Sequence, residues 1–140
     1  LGNGDFGAIL PGNYYTISDQ RLKTNITPLT GSLDKVMRLK CYTYDANKEA
    51  YPKYSASSRK MMGFLAQELE QVIPEAVADK TIPSLNTNRT APDADVETMQ
   101  VKAVSYDTLI PVLVEAIKEQ QGIINELRSR LEQLEAKERK

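Results

Sequence analysis

The fold is decided by the stretch at residues 108–140, TLIPVLVEAIKEQQGIINELRSRLEQLEAKERK. From residue 110 onward, residues suited to a buried stripe recur at alternating spacings of three and four. This is the heptad pattern of a coiled-coil helix, whose a and d positions face a partner helix. The predicted seam consists of Ile110, Leu113, Ile117, Gln120, Ile124, Leu127, Leu131 and Leu134.

The start and the register of this helix also have sequence signals. Pro111 fits only near the beginning of a helix, so the helix is expected to start there, after a cap at Thr108. Gln120 is the one polar residue of the seam, and a polar residue at such a position often fixes the register of the helices. Arg130 at g and Glu135 at the following e position allow an interhelical salt bridge.

The heptads predict self-association but leave the number of helices open. Isoleucine at a with leucine at d favours two helices in parallel coiled coils. Ile123 at g widens the apolar stripe and gives room for a third helix. The alternative is that the stripe packs against its own domain. Charged and amide side chains surround the seam beyond residue 118, which favours association between chains.

The region before this helix predicts a small α+β domain. Ser32 is a suitable N-cap for a short helix over residues 33–40. The alternating segment 41–46, CYTYDA, favours a strand, and residues 61–65 favour a second, buried strand. Residues 66–73 predict a helix that ends before a proline.

Two polar stretches and one cysteine complete this region. Residues 45–60 and 79–100 are polar with little periodicity, and we expect them to form projecting loops or hairpins. Cys41 is the only cysteine, which excludes an intrachain disulfide. Because it lies in an apolar run, a buried and inert thiol is expected.

Composition limits the possible chemistry. The chain has 140 residues, which suggests one domain with an appendage. Its net charge is −1. This charge predicts neither a nucleic-acid partner nor an acidic membrane, and no run reaches the length of a transmembrane helix. The absence of histidine excludes His-based triads and His-rich metal sites. Residues 1–17 hold four of the seven glycines and are interpreted as the end of a β-rich upstream element in a longer chain.

A short motif follows this Gly-rich segment: SDQRLK, with Ser18, Asp19, Arg21 and Lys23. A serine hydroxyl needs a base to become a nucleophile. A lysine amine is ordinarily protonated, and burial or a nearby cation such as Arg21 favours its neutral form. In a regular helix Ser18 and Lys23 would project about 140° apart, so they can meet only through a turn.

Each polar cluster also has a simpler interpretation. Taken alone, SDQRLK is typical of a polar connector. The segment AQELEQV is typical of an amphipathic helix with solvated acids, although Glu68 or Glu70 could orient Lys23 or Arg21.

Three blocks occur in order: SDQRLKTNI at 18–26, GFLAQELEQVIPEAV at 63–77 and VSYDTLIPVLVEAIKEQ at 104–120. Together they resemble the intramolecular chaperone auto-processing domain, also called the peptidase S74 family. This domain is found at the C-terminal end of bacteriophage tail spikes and tail fibres. A related domain occurs in the myelin regulatory factor of animals. The resemblance covers about residues 18–140.

The resemblance implies that the domain forms a homotrimer and brings the three copies of the upstream fibre or spike into register. The domain then cuts itself off from that upstream segment. The scissile bond would be Ile17–Ser18, with Ser18 as the nucleophile and Lys23 as the general base. Asp19 and Arg21 match the supporting positions. No metal and no cofactor are implied.

The resemblance also gives a domain division and a location. Residues 1–17 would end the fibre or spike, residues 18–107 would form the processing core, and residues 108–140 the coiled-coil helix. Assembly would take place in the host cytoplasm, and the upstream product would join the virion tail. Two alternatives stay open: a trimerisation cap that never cleaves, and a self-cleaving domain of a membrane-tethered transcription factor.

Overall fold

The computed structural model describes residues 7–10, 13–47, 59–83 and 98–139. Over these ranges the chain combines short antiparallel strand pairs with helices, and the last helix is by far the longest. The α+β class with a long C-terminal helix is therefore confirmed. The elements are β1 (Gly7–Leu10), β2 (Asn13–Thr16), α1 (Ser32–Arg38), β3 (Tyr42–Tyr44), β4 (Met61–Gly63), α2 (Ala66–Glu70), β5 (Val77–Pro83), β6 (Thr98–Val104) and α3 (Leu109–Glu138).

Three two-stranded antiparallel sheets are present in the described ranges: β1 with β2, β3 with β4, and β5 with β6. The β5–β6 ladder is the longest and runs from the pair Val77 and Val104 to the pair Pro83 and Thr98. The polar stretch 79–100 is therefore a β-hairpin at its base, one of the two forms expected for it. Its residues 84–97, and most of the stretch 45–60, lie outside the described residues.

The core lies between α2, the adjoining 3₁₀ turn, and the first two turns of α3. Leu69 and Ile73 are the largest side chains in it, with 1% and 2% exposure. Because α3 supplies a substantial part of this core, the domain cannot close its apolar interior without that helix. The buried apolar residues are Ala66, Leu69, Ile73, Ala76, Leu109, Val112 and Ala116.

The start of α1 differs from the sequence prediction. Gly31, not Ser32, is the N-cap, and its φ of 67° lies in the left-handed region that glycine adopts without strain. Ser32 is the first helical residue and is fully buried. The free amide groups of the helix are bound by Glu119 of α3, and a residue so distant in sequence leaves no local signal.

Two further predictions were wrong. The helix α2 ends at Glu70 rather than at residue 73, because the chain passes through a turn into the 3₁₀ turn Pro74–Ala76, which buries Ala76. Cys41 is exposed rather than buried. Its neighbour Tyr42 takes the inward position, and successive residues of an extended chain point to opposite faces.

Truncating the core at its centre should destabilise the domain. We expect Leu69→Ala to lower the free energy of unfolding by about 2–5 kcal/mol, since it removes a fully buried side chain and leaves a cavity. Urea denaturation at a fixed chain concentration measures this. The control is Met62→Ala, whose side chain is 81% exposed and should change stability by less than about 0.5 kcal/mol. Equal losses in the two variants would contradict the assigned core.

Candidate functional site

The residues of the SDQRLK motif form one tight turn. Asp19 is extended and caps the single 3₁₀ turn Gln20–Leu22, and its Oδ1 atom accepts the amide proton of Arg21 at 2.8 Å. The turn is closed by a hydrogen bond of 3.1 Å from the Lys23 amide to the Gln20 carbonyl. This reversal returns the chain toward Ser18.

The turn brings the two predicted reactive side chains together. The Nζ atom of Lys23 lies 2.6 Å from the Oγ atom of Ser18 and donates a hydrogen bond to it. A helix would have separated these side chains, so the expected turn is what makes the contact possible. At this distance a neutral amine could take the proton of the hydroxyl directly.

The two supporting residues bind each other. The Arg21 guanidinium donates from Nε to Oδ1 of Asp19 at 3.0 Å and from its terminal nitrogen to Oδ2 at 2.8 Å. This side-chain pairing, followed by the Arg21 amide, lowers the pKa of the Asp19 carboxyl. The same pairing raises the pKa of Arg21. The pair is exposed, so it contributes little global stability, but it fixes the turn from which Lys23 projects.

The site is open to solvent in the single chain. Every residue from Thr16 to Gly31 is exposed, and we refer to this segment as the connector. Large apolar side chains of the connector stand in water, among them Ile17 at 49% and Leu22 at 63% exposure. Burial favours a neutral lysine amine, and the described part of the chain does not supply that burial.

The two glutamates considered as helpers of the site take other partners. Glu68 accepts a hydrogen bond from the Tyr42 hydroxyl at 2.8 Å, which is the main cause of the raised pKa of Tyr42. Glu70 pairs with Lys102 of β6 at 2.9 Å. The suggestion that they orient Lys23 or Arg21 is therefore wrong for the single chain. Sequence spacing gave no signal for these pairs, because each joins distant segments.

The polar bonds of Lys102 fix the base of the β5–β6 hairpin. Its ammonium group binds Glu70 of α2 at 2.9 Å and Asp79 of β5 at 3.0 Å. These carboxylates, Glu70 first, raise the pKa of Lys102. The hairpin is therefore attached to α2 by charge as well as by packing.

The predicted seam of α3 faces solvent in the single chain. Its apolar positions are between 41% and 65% exposed, whereas the opposite face, with Leu109, Val112 and Ala116, is buried against the domain. Within the described ranges, the domain therefore leaves most of the seam uncovered, which disfavours the alternative that the seam packs on its own domain. The exposed apolar seam positions are Ile110, Leu113, Ile117, Ile124, Leu127, Leu131 and Leu134.

Among the described residues, no group of three or more acidic or cysteine side chains is placed to hold a metal ion. No helix in the described part of the chain combines the length and the apolar character needed to cross a membrane.

These features define the class of a small α+β domain with a long C-terminal helix whose apolar seam is exposed. That fold has a solved counterpart. It is described as a novel intramolecular chaperon, with a TM-score of 0.52 and 17% sequence identity, over 75% of this chain and 98% of the other. Residues 18–78 match the family model Peptidase_S74, described as chaperone of endosialidase. This match confirms the resemblance to the peptidase S74 family, and it is carried by residues 18–78.

Bacteriophage tail fibre proteins are among the proteins that are similar to this chain. The long tail fiber protein Gp37 of Enterobacteria phage Ox2 is 34% identical over 129 residues, which are 91% of this chain and 43% of that protein. The protein of the same name in Enterobacteria phage M1 is 34% identical over 131 residues, 93% of this chain and 44% of that protein. The chain thus spans less than half the length of these relatives.

The motif turn should respond to the titration of Asp19. Because pairing lowers its pKa, the charged carboxylate holds the Arg21 amide at neutral pH and loses it only as the pH falls through that lowered value. We expect the Arg21 amide resonance in NMR to titrate with a midpoint below the usual aspartate range. In Asp19→Ala the transition should vanish. Asp34, an exposed acid of α1, serves as the control, and its removal should leave the Arg21 titration in place. A midpoint at or above the ordinary aspartate value would contradict the pairing.

Proposed function

We propose that this chain is a homotrimeric intramolecular chaperone that assists assembly of an upstream tail fibre or tail spike and then releases itself by cutting the Ile17–Ser18 bond. The observation that carries the cleavage is the 2.6 Å contact between Lys23 Nζ and Ser18 Oγ. The match of residues 18–78 to the peptidase S74 family supports a self-cleaving peptidase. The tail fibre relatives support a fibre segment of the same chain as the client.

The reaction follows from the position of the nucleophile. The neutral Lys23 amine takes the hydroxyl proton of Ser18 while Oγ attacks the carbonyl carbon of Ile17. The C–N bond between Ile17 and Ser18 breaks, and the proton passes from Lys23 to the departing Ser18 nitrogen. The resulting ester joins the Ile17 acyl group to the Ser18 oxygen. Water then hydrolyses this ester, leaving a carboxylate on Ile17 and a free amine and hydroxyl on Ser18.

Assembly would control the timing of this reaction. In the single chain Ser18 and Lys23 are exposed, and an exposed lysine amine is ordinarily protonated. Trimer formation through the α3 seam would cover the connector, whose apolar side chains otherwise remain in water. Burial then favours the neutral amine that the reaction needs. Cleavage would thus follow registration of the three chains.

The proposal also sets a location and a product. Assembly would take place in the host cytoplasm, and the segment ending at Ile17 would remain in the tail of the virion, in line with the tail fibre relatives. The chaperone part would begin at Ser18 after the cut.

The exposed seam alone supports a second candidate, a trimerisation cap that does not cleave. The seam residues are available whether or not the Ser18–Lys23 pair reacts. The length of the purified chain distinguishes the two functions.

Substitutions in the reactive pair should stop processing. With an upstream segment attached, we expect the wild-type chain to yield a fragment that begins at Ser18, while Ser18→Ala and Lys23→Ala stay whole. Lys23→Arg keeps a donor to Ser18 but remains protonated, so it too should stay whole. Intact mass spectrometry measures the chain length of the wild type and of these three variants. The control is Lys60→Ala, which removes an exposed lysine paired with Asp45 and should still be cut. A wild-type chain that forms trimers yet stays whole would make the protein an assembly cap.

The seam should control both assembly and processing. Ile124→Asp places a charge at an a position, and we expect it to shift the chain from trimer to monomer in sedimentation equilibrium. Processing should fall with assembly, because the connector stays uncovered. The matched control is Ser129→Asp, which adds the same charge on the outer face of the same helix and should leave the trimer intact. A monomeric Ile124→Asp chain that cuts itself at the wild-type rate would refute control by assembly.

A further inference from the structure

The N-terminus of α1 is capped by a side chain from another helix. The carboxylate of Glu119, in α3, accepts the amide protons of Ser32 at 3.1 Å and Leu33 at 2.8 Å. The local N-cap, Gly31, has no side chain to serve this purpose. Because the first amides of a helix have no partner within the helix, Glu119 provides what the local sequence lacks.

The electrostatics of this contact are favourable. The amide of Leu33, and after it that of Ser32, lowers the pKa of Glu119, so the carboxylate remains charged at neutral pH. A negative charge at a helix N-terminus is stabilised by the aligned peptide dipoles. Ser32 beside it is fully buried, so the contact is shielded on that side from water.

The position of Glu119 connects two functional parts of the chain. On one side its neighbour in sequence, Gln120, belongs to the heptad seam. On the other side the residues that it binds directly follow the connector, which is exposed throughout its length. Glu119 thus attaches the end of the connector to the helix that would join the three chains. It lies outside the matched family segment 18–78.

We propose that Glu119 is a positioning residue for self-processing. It fixes the exit point of the connector on α3, so that the register of the α3 helices determines where Ser18 and Lys23 lie relative to the neighbouring copies. This inference rests on the proposed function. The Ser18–Lys23 contact itself is local to its turn, so loss of Glu119 would leave that pair formed but displaced within the trimer.

The test distinguishes the effect of the side-chain length at position 119 from the effect of its charge. In the chain with its upstream segment, Glu119→Ala removes the contact, Glu119→Gln keeps an acceptor oxygen at full reach without the charge, and Glu119→Asp keeps the charge but withdraws it by one methylene. We expect cleavage rates of isolated trimers in the order Glu, Gln, Asp, Ala, with Ala slower by roughly 10- to 100-fold, as a displaced reacting group implies. The order Glu, Asp, Gln, Ala would mean that charge alone matters and would overturn the positioning role.

A matched control lies one heptad further along the same helix. Glu126 occupies the heptad position equivalent to Glu119 but pairs only within α3, with Arg130, in the contacts that the structure gives. Glu126→Ala should therefore trimerise and cleave as the wild type does. Equal slowing in Glu126→Ala and Glu119→Ala would reduce the effect to a general weakening of α3 and would overturn the proposal.

Hydrogen exchange gives a readout that does not depend on cleavage. In trimers of Ser18→Ala, which should stay whole, the further change Glu119→Ala should increase exchange at the amides of Ser32 and Leu33, whereas Glu126→Ala should not. Unchanged protection of these amides would mean that Glu119 does not hold the end of the connector on α3, and it would overturn the proposal. If the wild-type chain is not cut at all, the proposed function fails, and the exchange result still decides whether Glu119 holds the connector. Should Glu119→Ala fail to fold, Glu119→Asp provides the same comparison.

Discussion

The structure depends on the burial of the first two turns of α3. Leu109, Val112 and Ala116 fill the core beside Leu69 and Ile73. The other apolar side chains packed against this core are only partly buried, or small like Ala66 and Ala76. The same turns carry Ile110 and Leu113 on the outer face, where they begin the seam. One helix therefore closes the domain with one face and leaves an apolar seam exposed on the other. The rotation of that single helix sets both which apolar residues are buried in the chain and which remain exposed along the seam.

The features that sequence predicted are those with a local or strictly periodic cause. The heptad stripe marked the outer face of α3, because a repeat of alternating three and four residues can be recognised without knowledge of the fold. The short spacing of Ser18 and Lys23 required a turn, and Asp19 is a residue type that caps turns. The α+β class followed from the change between the helical period and strand alternation.

The features that sequence missed have a non-local cause. The cap of α1 comes from Glu119, and the early end of α2 reflects the need to bury Ala76. Cys41 is exposed because Tyr42 occupies the inward position beside it. In each case the local residue types allowed the predicted arrangement, and packing between distant segments selected another. The hydrogen bonds that Tyr42 donates to Glu68 and Lys102 donates to Glu70 were missed for the same reason.

The shared core has a consequence for how the domain can be divided. The matched family segment, residues 18–78, contains Ser18 and Lys23 but none of the α3 residues that cover Leu69 and Ile73. Expressed alone, that segment would expose the apolar faces of α1 and α2 and would be prone to aggregate. A fragment of this chain that keeps the folded domain would therefore have to include α3 at least through Glu119. The unit that is recognisable by sequence is smaller than the unit that can fold.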